Sequence, residues 1–343
     1  MNIKDIILKF INKPVNNVRS SQTLYEVMFT LLNMNEIYKE QRYRKQIKEL
    51  SELMLKTQMP DGGFDIGYNF AFGINMTKKS EKESTTPEVL SIYALIKYYD
   101  LYKDDAVINS IEKGINWILN NSYKYLDKYW VIPYAPSSYK EIHITNAISF
   151  AVSTLTYYMY VFKENINPRI QEICDGMLSY MRDELIVDNN KGYWNYFEKK
   201  LIKENDYYIK IDNYHIAQQL YYHMQIQNHY KNNDNDEIVK LVSNYLKDKV
   251  KENVAVPYIE TKEKKTRDIH TWGYASILLC ALEWKNTEYI DNIANFMKNN
   301  IIGNNHFYPI VKESGEVIDE NYYPRSDAWV LHSFSEYLLY NKS

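Results

Sequence analysis

From Ser21 onward, apolar residues recur at helical spacing in long runs, and the stretches between them are polar or aromatic with only short strand-like alternation. The runs pair off into hairpins. The pattern predicts helices over 23–40 and 42–58, 88–102 and 106–121, 145–163 and 168–186, 213–230 and 237–251, and 271–285 and 289–300. A last helix over 327–340 has no C-terminal mate. Residues 1–13 carry Ile3, Ile6, Ile7, Phe10 and Ile11 on one stripe with Lys4, Lys9 and Lys13 opposite, so this segment is the candidate mate that would close a ring.

The helix starts repeat too. Thr85-Thr86-Pro87-Glu88, His143-Ile144-Thr145-Asn146, Asp212-Asn213-Tyr214-His215, His270-Thr271-Trp272-Gly273 and Asp327-Ala328-Trp329-Val330 stack in one frame, with first members 58, 69, 58 and 57 residues apart. Ser20-Ser21-Gln22-Thr23 extends the series toward the N-terminus. A unit of two helices and an aromatic turn at near-constant spacing suits a closed or curved array, in which each hairpin buries its apolar face on its neighbours.

One turn stands out. Gln58-Met59-Pro60-Asp61-Gly62-Gly63-Phe64 follows the run Leu50–Lys56 and holds the chain's only Gly-Gly pair, with Pro60 beside it to stop the helix. A helix ending in Gln, a Pro-Asp-Gly-Gly turn and then an aromatic resembles the repeat of the terpenoid-cyclase, prenyltransferase and six-hairpin-glycosidase toroids. There, Gln and backbone groups tie one hairpin to the next. The resemblance implies an all-α fold, an (α/α) toroid of about six hairpins with short β-like turns at the cavity mouth. It implies a single domain over 1–343, with 1–20 as the closing helix. A right-handed solenoid of helix pairs is the alternative arrangement.

Composition narrows the function. With 45% hydrophobic and 25% charged residues and a net charge of −3, the chain is an ordinary globular protein, and no basic excess marks nucleic acid as its ligand. Its 34 tyrosines against 11 phenylalanines have two readings: low-GC codon usage, or a tyrosine-lined cleft whose faces and hydroxyl edges suit sugar rings. Cys174 and Cys280 each lie in an apolar helical pattern without a metal-ligand spacing, and so read as buried free thiols. No phosphate loop, nucleophile elbow or His-Glu-x-x-His motif occurs, so neither a cofactor nor a metal is expected. The 232–237 Asn/Asp run lacks the Gly and distal Glu of a calcium loop and reads as a solvated connection. Residues 1–13 do not read as a signal peptide, and no window is apolar enough to span a membrane, which makes the cytoplasm the expected location. The 1–13 stripe either packs on the domain or lies on a membrane surface.

In the toroids this chain resembles, the loops leading into the inner helices and the first turns of those helices line the cavity. Carried over, the resemblance implies catalytic candidates Asp65, Glu88, His143, His270 and Asp327. The substrate-binding candidates are Tyr68, Tyr134, Trp194, Tyr196, Asp212, Tyr258, Arg267, Trp272, Arg325 and Trp329. Bland alternatives accompany them. Asp212 and Asp327 are at sites where helix caps are favoured, and Glu88 sits where the helix dipole favours a carboxylate. Arg267 and Arg325 suit an acidic sugar such as a uronate, a sugar phosphate, or salt bridges to Asp268 and Asp327. His215 reads as a core or cavity-wall group.

Three functions fit this pattern. The first is a carbohydrate-active enzyme on an acidic glycan in polysaccharide biosynthesis or processing. As a hydrolase it would use two carboxylates, and as a lyase or epimerase a Tyr or His base with an Arg. The second is an isoprenoid enzyme, although the protonating Asp-x-Asp-Asp motif is absent. The third is a glycan-binding toroid without chemistry.

Overall fold

The computed structural model describes residues 20–73, 76–79, 82–163, 167–252, 259–260, 268–303 and 306–342. Six of its helices are buried nearly all round: α1 (Ser21–Tyr38), α3 (Leu90–Tyr102), α5 (Thr145–Phe162), α8 (Asn213–Gln227), α10 (Thr271–Glu283) and α12 (Pro324–Tyr340). Five others are amphipathic and bury a stripe: α2 (Gln41–Thr57), α4 (Ile108–Asn121), α6 (Pro168–Asp183), α9 (Asn233–Glu252) and α11 (Thr287–Asn300). In α2 that stripe is Tyr43, Ile47, Leu50, Ser51 and Met54, at helical spacing. A short α7 (Lys199–Glu204), which the pattern did not predict, interrupts the connection into α8.

These two kinds of helix form two layers. Each all-round buried helix packs on the next in the order α1, α3, α5, α8, α10, α12, and α12 packs back on α1. The ring is closed. Each amphipathic helix covers the inner helix that precedes it. The chain is therefore an (α/α) toroid rather than an open solenoid, and the segment expected to cover α12, residues 1–13, lies outside the described residues.

The Gly-Gly turn has the predicted role. Gln58 Nε2 donates to Gly62 O at 2.8 Å and to Ser110 O at 2.9 Å, and Ser110 Oγ returns a bond to Gln58 Oε1 at 2.7 Å, so one amide joins α2 to α4. Gly62 has φ +98, and a Cβ there would stand 2.6 Å from Lys113 O. Asp61 accepts from Gly63 N, Ser84 Oγ and Trp117 Nε1.

Adjacent repeats are stitched at the mouth by a recurring contact. The first residue of an inner helix, or of the single 3-10 turn Thr86–Val89 that leads into one, bonds a carbonyl in the next aromatic turn: Ser21 Oγ to Asp65 O at 2.6 Å, Thr86 Oγ1 to Pro133 O at 2.5 Å, Thr145 Oγ1 to Asn195 O at 3.4 Å, and Thr271 N to Pro309 O at 3.0 Å. Short antiparallel pairs reinforce it, Asp212 with Ile259 and His270 with Ile310.

Two helix starts differ from expectation. α9 begins at Asn233 because Asn232 caps it, accepting from Asn235 N at 3.1 Å, and Asp234 and Asp236 suit its first turn; the polar run is helix rather than connection. α12 begins at Pro324, a residue pre-set for the first helical position, so Asp327 lies inside the helix and does not cap it. The tyrosines also divide: Tyr25, Tyr180, Tyr214, Tyr222 and Tyr274 are fully buried rather than half wet. Cys174 and Cys280 are buried free thiols, as read from sequence.

Candidate active site

The mouth is where the ring's helix starts converge, and a cavity of about 470 Å³ opens there between α1, α10 and α12, lined in part by Tyr68, His270, Trp272, Asp319, Tyr323 and Arg325. Arg325 is its central charge. Its guanidinium lies 5.3 Å from the centroid of the Trp272 ring and donates to Tyr68 Oη at 2.7 Å. No carboxylate among the described residues lies within ion-pair distance of it. The expected alternative of a bridge to Asp327 is not formed.

Trp272 has a second polar neighbour. The His215 ring stands edge-on to it at 5.2 Å and edge-on to Tyr196 at 5.3 Å. Asp212 caps α8, accepting from His215 N at 3.1 Å, and its Oδ2 lies 2.8 Å from His215 Nδ1. Burial pushes the Asp212 carboxyl up, but His215 first and Lys210 after it bring it below its ordinary value, so it stays ionised. The His215 side chain is 21% exposed, and no described group bonds its Nε2. Asp212 Oδ2 and His215 Nδ1 are close but make no hydrogen bond, so the contact is electrostatic, and a ring unprotonated at Nε2 can act there as a base.

The other carboxylates near the mouth are committed. Asp65 pairs with Lys78, whose side chain is fully buried and whose pKa burial lowers to about 8 against the pull of Glu88 and Glu83. Glu88 is fully buried, accepting from Ser21 Oγ at 2.7 Å and Gln22 Nε2 at 3.0 Å. Burial raises its pKa to about 7, opposed by those two bonds and by Lys78 and Arg325. Asp319, on the cavity wall, accepts from the backbone and side-chain amides of Asn321. Tyr134 is buried beside Tyr196, Glu88 and Tyr68, and burial raises its pKa well above the ordinary value. His270 lines the cavity; burial lowers its pKa, opposed by Asp212 and Asp268.

Several sequence candidates lie elsewhere. His143 is buried behind the mouth, its Nδ1 3.1 Å from Glu198 Oε2 and its Nε2 2.7 Å from Tyr123 Oη. The reason is register. Ile144, not His143, is the extended residue before the helix and pairs with Phe197, and neighbouring side chains on extended backbone point to opposite sides. Asp327 is buried and accepts from Phe307 N at 3.1 Å; burial raises its pKa to about 8, and its position within α12 separates it from the cavity wall. Trp194 is in the core, donating to Met181 O and stacked on His223, and Trp329 is in the core near His332. Tyr258 and Arg267 lie outside the described residues.

Sequence reasoning did not select Lys78 or Glu198, whose partners are distant in the chain, nor Lys210, which lies two residues from Asp212. His215 had a readable signal, since an N-cap Asp three residues before a His places both at one helix start. Among the described residues no cluster could hold a metal ion, and no helix is long and apolar enough to cross a membrane.

The sequence matches no protein-family model and no curated protein. Solved structures match the fold over nearly the whole chain. A cellobiose 2-epimerase from Bacillus thermoamylovorans aligns with TM-score 0.69 at 10% identity, over 98% of this chain and 100% of that one. A sugar epimerase from a ruminal bacterium aligns with TM-score 0.69 at 14% identity, over 92% and 87%. A family 88 glycosyl hydrolase from Bacteroides vulgatus aligns with TM-score 0.67 at 10% identity, over 98% and 97%. At these identities the likeness is one of architecture, the (α/α)6 toroid.

Proposed function

We propose that this protein is a carbohydrate-active enzyme that binds an acidic sugar at the mouth of the toroid. The carrying observation is Arg325, which rests on Trp272, bonds Tyr68 and has no described carboxylate partner. A guanidinium removed from water in this way favours an anion, and its planar fork fits a carboxylate in two bonds. The indole beside it, nearly buried with the guanidinium over its ring, forms part of the cavity wall with Tyr68 and His270. Sugar epimerases and glycosyl hydrolases share this architecture, which supports the carbohydrate reading by analogy of fold.

The test is a thermal-shift screen with uronate-containing oligosaccharides, neutral oligosaccharides and prenyl diphosphates. Uronate oligosaccharides should stabilise the protein, and Arg325→Ala should abolish that shift. At a hundredfold excess over Kd the stabilisation is about 2.7 kcal/mol. A response to prenyl diphosphates alone would overturn the reading in favour of an isoprenoid enzyme.

A further inference from the structure

The mouth also indicates which bond is broken. Glycoside hydrolysis needs two carboxylates facing the scissile bond, one as acid and one as base or nucleophile. Here Asp65 is held by Lys78, Glu88 is sealed beneath Ser21 and Gln22, Asp212 is spent on His215, and Asp319 is bonded by Asn321. Among the described residues at the mouth, His215 Nε2 is an acceptor that no described group bonds. We infer that His215, oriented by Asp212, is the general base of a carbon-acid reaction, removing the proton α to the carboxylate of a bound uronate. This rests on the acidic-sugar reading above.

The geometry supplies both halves of such a step. Arg325 and His215 pack against the same indole, so a uronate bound in the mouth beside Trp272 meets a cation for its carboxylate and a base for its neighbouring carbon. As the C–H bond breaks, its proton goes to His215 Nε2. The electron pair moves into the carboxyl group, and the charge that develops on the carboxyl oxygens is matched by Arg325. The proton taken up on Nε2 leaves an imidazolium whose charge faces the ionised Asp212, with Oδ2 2.8 Å from Nδ1. Protonation of the same carbon from the opposite face by water gives the epimer, and His215 returns its proton to the hydroxide that is left. Expulsion of the oxygen on the next carbon, which takes a proton from water, gives an unsaturated uronate and a new chain end. Both outcomes share the first step and the same base. Asp212 acts through His215 and is a positioning residue.

The experiment uses the full chain in D2O with uronate oligosaccharides, following deuterium at the α carbon, ultraviolet absorbance of an unsaturated uronate, and new reducing ends. Wild type should show deuterium incorporation or absorbance. His215→Asn should lose 10²-fold or more of that rate, on the order expected for a general base, while keeping the uronate-induced thermal shift, which also shows that the variant is folded. Asp212→Asn should lower kcat with KM little changed, and Asp212→Glu should recover part of it. Reducing ends without deuterium or absorbance would overturn the inference, as would loss of exchange in His270→Asn with retention in His215→Asn. If uronates produce no thermal shift at all, the acidic-sugar reading falls and this inference with it. If the shift is present but no proton is exchanged, this inference alone falls.

Discussion

Two imidazole–carboxylate pairs of nearly equal length occupy different parts of the ring. At the mouth, His215 Nδ1 lies 2.8 Å from Asp212; in the interior, where α12 closes onto α1, His332 Nδ1 lies 2.7 Å from Glu26. They differ in what is left over. His332 and Glu26 are essentially without solvent exposure, and the second ring nitrogen of His332 faces Glu336 at 3.6 Å, whose carboxylate in turn accepts from Asn33 Nδ2 at 2.8 Å. His215 keeps an accessible edge and an open nitrogen. A buried ion pair shut off from solvent specifies how two elements meet, whereas one with an accessible edge can do chemistry. The residue types are the same, and the surroundings separate lock from tool.

The comparison breaks most visibly at the lock. Glu26→Ala leaves His332 without its nearest carboxylate in a dry interior, and the expected loss is about 3–5 kcal/mol, read from urea unfolding. The pH dependence has a definite sign. Burial works against the charged ring, but Glu26 and Glu336 hold His332 above its ordinary value. Its stabilisation is therefore full below about pH 6.5 and is lost as pH rises through the raised folded value. Burial raises the Glu336 carboxyl, yet His332, Lys97 and Asn33 bring it down to about 2, so its contribution is present above about pH 4.3 and fades as pH falls toward 2.

Glu88 sharpens the contrast from the mouth side. With its pKa raised to about 7, it still holds a proton in the folded protein where the unfolded chain has already released one. Stability should fall as pH rises from about 4.5 to 7, by up to roughly 3 kcal/mol, and Glu88→Gln should flatten that slope in unfolding curves collected across the range. A wild-type slope of the opposite sign over that interval would place Glu88 in a more polar setting than its burial describes. The smallest stability effect is expected at His215. His215→Asn should cost less than about 1 kcal/mol in the same melts, because the ring is partly exposed and Asp212 keeps its backbone bond and Lys210. A cost as large as that of Glu26→Ala would make the mouth pair a lock as well.

Much of the fold was legible in the chain. The helical runs, their pairing into hairpins and the repeat of the helix starts were readable, and the Gln58 turn announced its tie to the next hairpin, because each signal is local and its period belongs to the helix itself. The site was legible only in part. Arg325, Trp272, Tyr68 and His270 were recognisable as mouth residues from their place at the helix starts. His143 was not separable from Asp212 and His270, because a shift of one residue on extended backbone reverses a side chain and leaves its identity unchanged. Asp65 gave no sign of Lys78, nor His332 of Glu26, since those pairs form across turns and across the closing of the ring.

Helical periodicity, glycine and proline placement, and the spacing of five hairpins are properties of neighbouring residues, and the sequence alone determined them. Closure of α12 on α1, and the decision over which carboxylates are neutralised and which imidazole stays open, came from tertiary structure. Burial and charge pairing depend on what lies within a few ångströms in space, and in a closed ring those neighbours come from residues as far apart in the chain as Glu26 and His332, or Tyr68 and Arg325.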